Sequence, residues 1–526
     1  MQVSHNPSAV SVSFDEPNLV STAGLLPAMV LARDSGLHEL TDQWLSVPTD
    51  KGAHPGLKIA SLVAGMVAGA DSIDDMALLR HGAMKKVFTA CYAPSTLGSF
   101  LRSFTFGHVR QLDAVASRFL VSLNRKAPLL GDVAADDYVY LDVDDTIIEV
   151  HGYQKQGSGY GYSGVRGLNA LLATASTKDA VPFIAAQRLR KGAANSARGA
   201  KKFVTEALGT LTRCQPGSKV LCRFDSAYYG HGPVSAALKA GAQVSVTVRM
   251  DPAVKRAIAT IPEDAWETIH YTDAILDEST GVLVSSAEVA ETGFTAFTSR
   301  KKAERVPGRL VVRRIPELNP KKAAGQGTLF DSHRFHAFFT TVDHGVLDTV
   351  AADKAHRQHA VIEQVNADLK DSALAHMPSG HFGANSAWLV AAAIAYNLTR
   401  ATGILAGGTF AKASQGQERN GPAHAHPGSG AHRAQCQENQ APASAGLALG
   451  NRRGTALHFR ARPTPNRLEP FTEPSAAQPG NHRGTPAGRE AGALPVPKNE
   501  TAPVRRQQTT TGGGSVDQGL ASGLLR

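Results

Sequence analysis

Glu363 and Lys370 lie seven positions apart in His356-Arg-Gln-His-Ala-Val-Ile-Glu-Gln-Val-Asn-Ala-Asp-Leu-Lys370. Wound as a helix, this stretch puts His356, His359, Glu363, Asn366 and Lys370 on one face, because steps of three and four keep side chains in line. Ile362, Val365 and Leu369 fall on the other. A plain amphipathic surface helix carries the same stripe. Two earlier segments add to it. Tyr138-Val-Tyr-Leu-Asp-Val-Asp-Asp-Thr-Ile-Ile-Glu-Val150 offers Asp144, with Asp142 on the same strand face, and Lys219-Val-Leu-Cys-Arg-Phe-Asp225 ends on an acid. Singly, Asp225 suits a turn after a strand and Asp142 and Asp145 suit solvent. Together, Asp144, Asp225 and Glu363 form an all-oxygen donor set of the kind Mg²⁺ or Mn²⁺ prefers. Two such ions serve phosphodiester chemistry, one activating the attacking oxygen and one stabilising the leaving 3′ oxygen.

The elements that must position these acids are legible from periodicity. Apolar residues recur at helical spacing over 57–69 and 109–120, which predicts a helical domain over 1–130. Within it, Ala93-Pro-Ser-Thr-Leu-Gly-Ser-Phe-Leu-Arg102 begins with helix-start residues and lies among Lys85, Lys86, Arg102 and Arg110. It is either a packed helix with a solvated face or one that enters a DNA groove. From 131 the texture turns to strands: 138–150, 171–175 and 181–187, with a Gly- and Tyr-rich turn at 157–164. A helix over 201–208, the strand 219–225 and the strand 243–249 imply a mixed sheet with a right-handed crossover. The stretch 251–334 is too long for a loop and carries strand-like runs of its own, so it predicts an insertion subdomain, after which 334–341 returns to the sheet. The expected core is therefore 131–250 with 335–408.

With 526 residues the chain exceeds one small domain, and 42% hydrophobic content suffices for a sizeable core. The formal charge is +10, but residues 409–526 hold 14 Lys and Arg against 7 Asp and Glu, so +7 of it lies there. That segment is rich in Ala, Gly, Pro, Gln and His and poor in large apolar residues, a composition expected to be disordered. Bulk charge therefore says little about a polyanionic partner. Cys91, Cys214, Cys222 and Cys436 show no metal-ligand or disulfide spacing, which fits a reducing, cytoplasmic setting. The first residues lack a secretory pattern, and the apolar run 387–396, bracketed by Asn385, Asn397 and Arg400, reads as a buried helix, so no membrane partner is expected.

Leu141-Asp-Val-Asp-Asp-Thr146, Arg223-Phe-Asp-Ser-Ala-Tyr-Tyr229 and Ala360-Val-Ile-Glu-Gln-Val-Asn-Ala-Asp-Leu-Lys370 together resemble the catalytic core of DDE-type bacterial transposases, and are most similar to the insertion-sequence 1380 family. The resemblance spans about 20–408. It implies an α/β fold: a ribonuclease-H-like mixed sheet core with a β-rich insertion, an N-terminal helical domain and a disordered C-terminal tail. It also implies two divalent metals and cleavage at element ends followed by strand transfer. The partners would be double-stranded DNA, as element ends and target, and a second copy of the chain on paired ends.

Carried onto this sequence, Asp144 is the first acid, two before Thr146, with Asp142 the alternative; Asp225 is the second and Glu363 the third. Lys370 matches a lysine that contacts donor DNA in the wider group, which places tyrosine and arginine where this chain has His356 and His359. Neutral imidazole is a weaker phosphate partner than guanidinium. Asn366 shares that face, while Arg188, Arg190 and Lys191 are candidate backbone clamps and Tyr228 and Tyr229 candidate base-stacking groups. The alternatives are a non-transposing metal-dependent nuclease on the same core, or a decayed copy that only binds ends. Relatives of this family continue past the apolar helix in helical, Arg- and Leu-rich chain, and we hypothesise that residues after 409 are translated out of the original frame. The coding DNA tests this: an offset frame across 409–526 should encode an apolar-periodic helical segment, and the idea fails if neither offset frame does.

Overall fold

The computed structural model of the protein describes residues 20, 22–88, 91–151, 154–161, 163–277, 282–316 and 333–407, apart from the side chains of 272–283. The expectations for 409–526 lie outside the described residues, as does part of the segment 251–334. All described residues belong to one compact unit.

The alternating run after residue 137 becomes β1 (Tyr138–Glu149). It pairs antiparallel with β3 (Arg166–Ser176), which pairs in turn with β4 (Phe183–Lys191) and with the short β2 (Gly159–Tyr160). On its other side β1 runs parallel to β5 (Lys219–Phe224), and β5 parallel to β6 (Gln243–Thr247). Parallel neighbours need covered crossovers. These are α7 (Ala200–Cys214) and α8 (His231–Lys239). In α7, Phe203, Val204, Ala207, Leu208 and Leu211 are buried at helical spacing against the sheet, while Lys201 and Lys202 stay outside.

The chain between β6 and the acid-bearing helix adds strands to this sheet. After α9 (Pro252–Ile258), β7 (Glu267–Asp277), β8 (Val282–Ala296) and β9 (Val306–Pro316) form an antiparallel meander. β10 (His333–Thr340) joins it to β6. Among the described residues ten strands thus share one sheet, in the order β2-β3-β1-β5-β6-β10-β9-β8-β7 with β4 beside β3.

One register row crosses that sheet as a line of buried polar residues: Thr174, Asp142, Arg223, Ser245, Thr340 and Arg309, on β3, β1, β5, β6, β10 and β9. Two consecutive helices lie over it, α10 (Thr349–Arg357) and α11 (Val361–Lys370), separated by a 3₁₀ turn at Gln358–Ala360. The stretch read as a single helix from 356 is therefore two, and its two ends face different parts of the sheet.

The helices before the sheet are α1 (Leu25–Asp34), α2 (Leu37–Trp44), α3 (Pro55–Val67), α4 (Met84–Val87), α5 (Pro94–Arg102) and α6 (Phe106–Lys126). They share their core with the sheet through the long α12 (Phe382–Ala406), which packs on α3, α5, α6 and β4. α5 buries Leu97, Phe100 and Leu101 in this core and leaves Ser95, Thr96 and Arg102 exposed. α12 is long and apolar enough to cross a membrane, yet it is largely buried in this core.

Its polar residues make specific bonds there. Asn397 accepts from the Ile184 amide and donates to the Ile184 carbonyl, both at 2.8 Å, at a β-bulge on β4 that interrupts pairing with β3. Trp388 donates to the Ala373 carbonyl at 2.6 Å, and Arg400 holds Asp368 on α11 at 2.7 Å, which ties α12 to the acid-bearing helix. Replacing Asn397 by Leu leaves the Ile184 amide and carbonyl buried and unpaired, and should cost about 2–4 kcal/mol. Thr399→Ala, at an exposed position of the same helix, should cost less than about 0.5 kcal/mol. Urea unfolding of both variants measures the difference, and equal midpoints contradict this account of the bulge.

Candidate active site

The parallel strands β1, β5 and β6 all point their C-terminal ends to one side, the side where open α/β sheets bind ligands. Val143 pairs with Phe224, so the next residues, Asp144 and Asp225, stand side by side at neighbouring strand ends. Asp225 caps a 3₁₀ turn, Ser226–Tyr228, and is exposed. Both acids line a cavity of about 1320 Å³ together with Arg249, just past β6, and Lys370 at the end of α11. Tyr160 and the loop 192–196 line the same cavity.

Burial pushes the Asp144 carboxyl up to about 6, and the charges of Asp145 and Asp225 push the same way. An amide hydrogen bond from Asp145 and the charge of His359 oppose this. Asn366 reaches Asp144 from α11 at 3.4 Å, while its own carbonyl oxygen is buried without a partner. Lys370 is held below the ordinary lysine range by burial, which Asp144 partly offsets. Crowded carboxylates and an orphaned buried amide oxygen are the chemistry a hard dication satisfies, so the residues present fit Mg²⁺ or Mn²⁺.

Glu363 is exposed on α11, three residues before Asn366, and is not among the residues that line the cavity. Among the described residues, no three His, Cys, Asp or Glu side chains are grouped closely enough to hold an ion by themselves.

The sequence profile of the transposase DDE domain, group 1, matches residues 2–414. The chain belongs to this family of DDE transposases. None of the curated proteins matches it. The cryo-EM structure of a piggyBac transposase synaptic complex with hairpin DNA aligns over 74% of this chain and 75% of that one. Its sequence identity is 10% and its TM-score 0.34, a likeness too distant to bear on the site.

The transposase keeps its two candidate first acids in different environments. Asp142 is fully buried and takes a bidentate ion pair from Arg223, with both contacts at 2.7 Å, and a third contact from His359 at 2.9 Å. Its oxygens are committed, so the alternative first ligand is a structural anion, and Asp144 is the acid that faces the cavity. Burial alone would lower the His359 pKa, but its hydrogen bond to Asp142 and the charges of Asp142 and Asp144 raise it above the ordinary value.

His356, read as facing DNA, instead points into the sheet. Both its ring nitrogens meet hydroxyls, Ser245 at 2.7 Å and Thr247 at 3.0 Å, and the ring stacks on Phe338. Burial holds it neutral. Arg188 also turns away from the cavity, to Glu206 on α7 at 2.5 Å, in a separate pocket where burial pushes Asp113 up to about 6. Arg190 is held by Asp145 at 3.0 Å and by the carbonyls of Ser196 and Arg198. Lys191 is exposed at the end of β4, next to the 192–196 loop.

Tyr228 is buried and donates to Asp145 at 2.6 Å, so it supports the site from behind instead of stacking on a base. Arg249 and Tyr160 were missed in the sequence. The signal for Arg249 is a cation at the end of the strand read as 243–249.

Asp144 and Asp142 should respond oppositely to mutation. Asp144 titrates at 3.8 ordinarily and at about 6 in the fold. Between those values the folded chain binds a proton that the unfolded chain has lost. Stability therefore falls as pH rises through this window and stays lower above it. In EDTA at pH 8, Asp144→Asn should raise stability by up to about 3 kcal/mol, with no gain near pH 4. Asp142→Ala leaves Arg223 buried without its counter-charge and should lower stability by about 3–5 kcal/mol. Thermal melts of the two variants check this, and shifts in the same direction contradict the assignment. Mg²⁺ should raise the Tm of the wild type and not that of Asp144→Asn.

Proposed function

We propose that this transposase cleaves DNA at insertion-sequence ends and joins the freed 3′ hydroxyl to target DNA, with Asp144, Asp225 and Glu363 as its metal-holding acids. The observation that carries the reading is the placement of Asp144 beside Asp225 at adjacent parallel strand ends, in the wall of a cavity that Lys370 and Arg249 also line. The strand order β4-β3-β1-β5-β6, with three antiparallel strands followed by two parallel to β1, supports a ribonuclease-H-like core. The strands β7 to β9 are then the β-rich insertion between the second and third acids, β10 the return to the core sheet, and α1 to α6 the N-terminal helical part. The three motif segments support assignment to the insertion-sequence 1380 family.

Two Mg²⁺ ions, for which Mn²⁺ can substitute, would supply the Lewis-acid charge that an in-line phosphodiester displacement needs. Asp144 and Asp225, side by side at the strand ends, would hold these ions together with Glu363 of α11. Asn366 orients Asp144, and Lys370 and Arg249 meet phosphate charge. His359, whose pKa the hydrogen bond to Asp142 raises, offsets negative charge beside Asp144, and Lys191, exposed at the end of β4 next to the 192–196 loop, is placed to meet backbone phosphate. In the first step a water oxygen bonds to phosphorus as the bond to the 3′ oxygen breaks, which leaves a 3′ hydroxyl and a 5′ phosphate. In the second, that hydroxyl bonds to a target phosphorus and displaces the target's 3′ oxygen. The protein acts on double-stranded DNA in the cytoplasm, as a dimer on paired ends.

A second reading, a decayed copy that binds ends without cutting, is favoured by the position of Glu363 outside the cavity wall. Cleavage and joining of a labelled duplex carrying the element's own end, with Mg²⁺, separates the two. The wild type should cut and join, and Asp225→Ala and Glu363→Ala should each lose at least about 10²-fold in rate. Binding without cleavage by the wild type would leave the decayed-copy reading standing.

A further inference from the structure

β8 and β9 stay paired up to Ala296 opposite Val306, so 297–305 forms the tip of a long hairpin. This tip carries Arg300, Lys301, Lys302 and Arg305 against one acid, Glu304, and all four cations are exposed. The concentration is local, since residues 1–408 together carry only +3 of the chain's +10. The tip is also built. Arg300 donates its amide to the Phe297 carbonyl at 2.9 Å, Glu304 to Lys301 at 2.8 Å, and the Arg305 guanidinium to the Arg300 carbonyl at 3.1 Å.

What holds this tip in place is Phe297, a non-glycine residue in the left-handed region at φ +61°. Such a conformation persists only where its surroundings impose it. Here the Phe297 ring stacks on Tyr229, with centroids 5.3 Å apart, and takes the edge of His231 at 5.7 Å. Tyr229 ends the 3₁₀ turn that Asp225 begins. Four residues of chain span at most roughly 14 Å, so the hairpin tip is fastened to the turn that carries the second acid. Tyr229 also lies close enough to Asp251, two residues after Arg249, to feel its charge.

We propose that the β8–β9 tip is a clamp for the phosphodiester backbone of duplex DNA adjoining the scissile phosphate, and that Phe297 is its positioning residue through the stack on Tyr229. The inference rests on the transposase reading. A basic tip free to wander would add only diffuse attraction. A basic tip pinned to the turn that Asp225 begins holds its charge at a fixed position relative to that acid, so that the DNA entering the site is held in register.

The test is the salt dependence of binding, by fluorescence anisotropy, to a labelled duplex carrying the element's own end. Each backbone contact contributes about 0.9 to the slope of log affinity against log salt. The triple variant R300S/K301S/K302S should lose about 2–3 in that slope and at least tenfold in affinity, while its cleavage rate on saturating DNA at low salt stays within twofold of wild type. Phe297→Gly accepts the left-handed backbone and keeps every cation, yet should lose most of the same slope. Duplexes shortened on the element side or on the flanking side show which arm the tip holds, and a loss confined to either one supports the clamp. An unchanged slope in the triple variant, or in Phe297→Gly, with wild-type binding and cleavage intact, overturns the clamp and leaves the transposase reading in place. A wild type that binds no duplex overturns both.

Discussion

The buried ion pair between Arg223 and Asp142 is the interaction on which the rest of the site depends. Two charges without solvent are costly, and this pair survives because its remaining groups are also satisfied: Arg223 donates to the Ala355 carbonyl at 2.7 Å and lies over the Tyr140 ring, and Asp142 takes a contact from His359. Those partners belong to β1, β5 and the junction of α10 with the turn before α11. One pair therefore sets the register of two parallel strands and the seat of the helix above them. Asp144 and Asp225 each lie two residues further along the same two strands, so fixing Asp142 against Arg223 fixes the two acids against each other.

The row around that pair explains why a sheet this wide keeps one register. A slip of one residue would carry Thr174, Asp142, Arg223, Ser245 and Thr340 to the opposite face and part each from its partners. Arg309 closes the row by donating to the Val342 carbonyl at 2.7 Å and pairing with Glu291. His356 adds to it from above, spanning Ser245 and Thr247 as a neutral ring. Asp142, Arg223, Ser245, Thr340 and Arg309 of this layer are partnered, while at its edge Asp144 is partly desolvated beside the exposed Asp225. Asp144 bears that cost where a cation can relieve it, a division between a satisfied interior and a strained site that suits catalysis.

The strands around the acids were legible because their periodicity and β-branched content are local properties: β1, β5 and the return strand β10 all lie where the residues implied. Asp144 and Asp142 were not separable that way. Both sit on one strand face two residues apart, and only the tertiary partner Arg223, 81 positions away, distinguishes the committed carboxylate from the free one. His356 misled for a related reason. Helical spacing put it on the Glu363 face, but the 3₁₀ turn at Gln358–Ala360 rotates the two halves, so His356 serves the sheet and His359 serves Asp142. Arg188 could not be assigned from sequence either, because its partner Glu206 lies on a crossover helix whose packing no local pattern reports.

The central claim is that Asp144 and Asp225, brought together by the β1–β5 register, hold divalent metal in the presence of DNA. Electron paramagnetic resonance of Mn²⁺ titrated into the complex with an element-end duplex tests it most directly. The account predicts two protein-bound Mn²⁺ ions per active site, close enough to be spin-coupled, with the coupled signal lost in Asp225→Asn while the DNA remains bound. A complex that holds DNA but leaves Mn²⁺ with its aqueous spectrum, or that binds it equally in Asp225→Asn, would contradict the account.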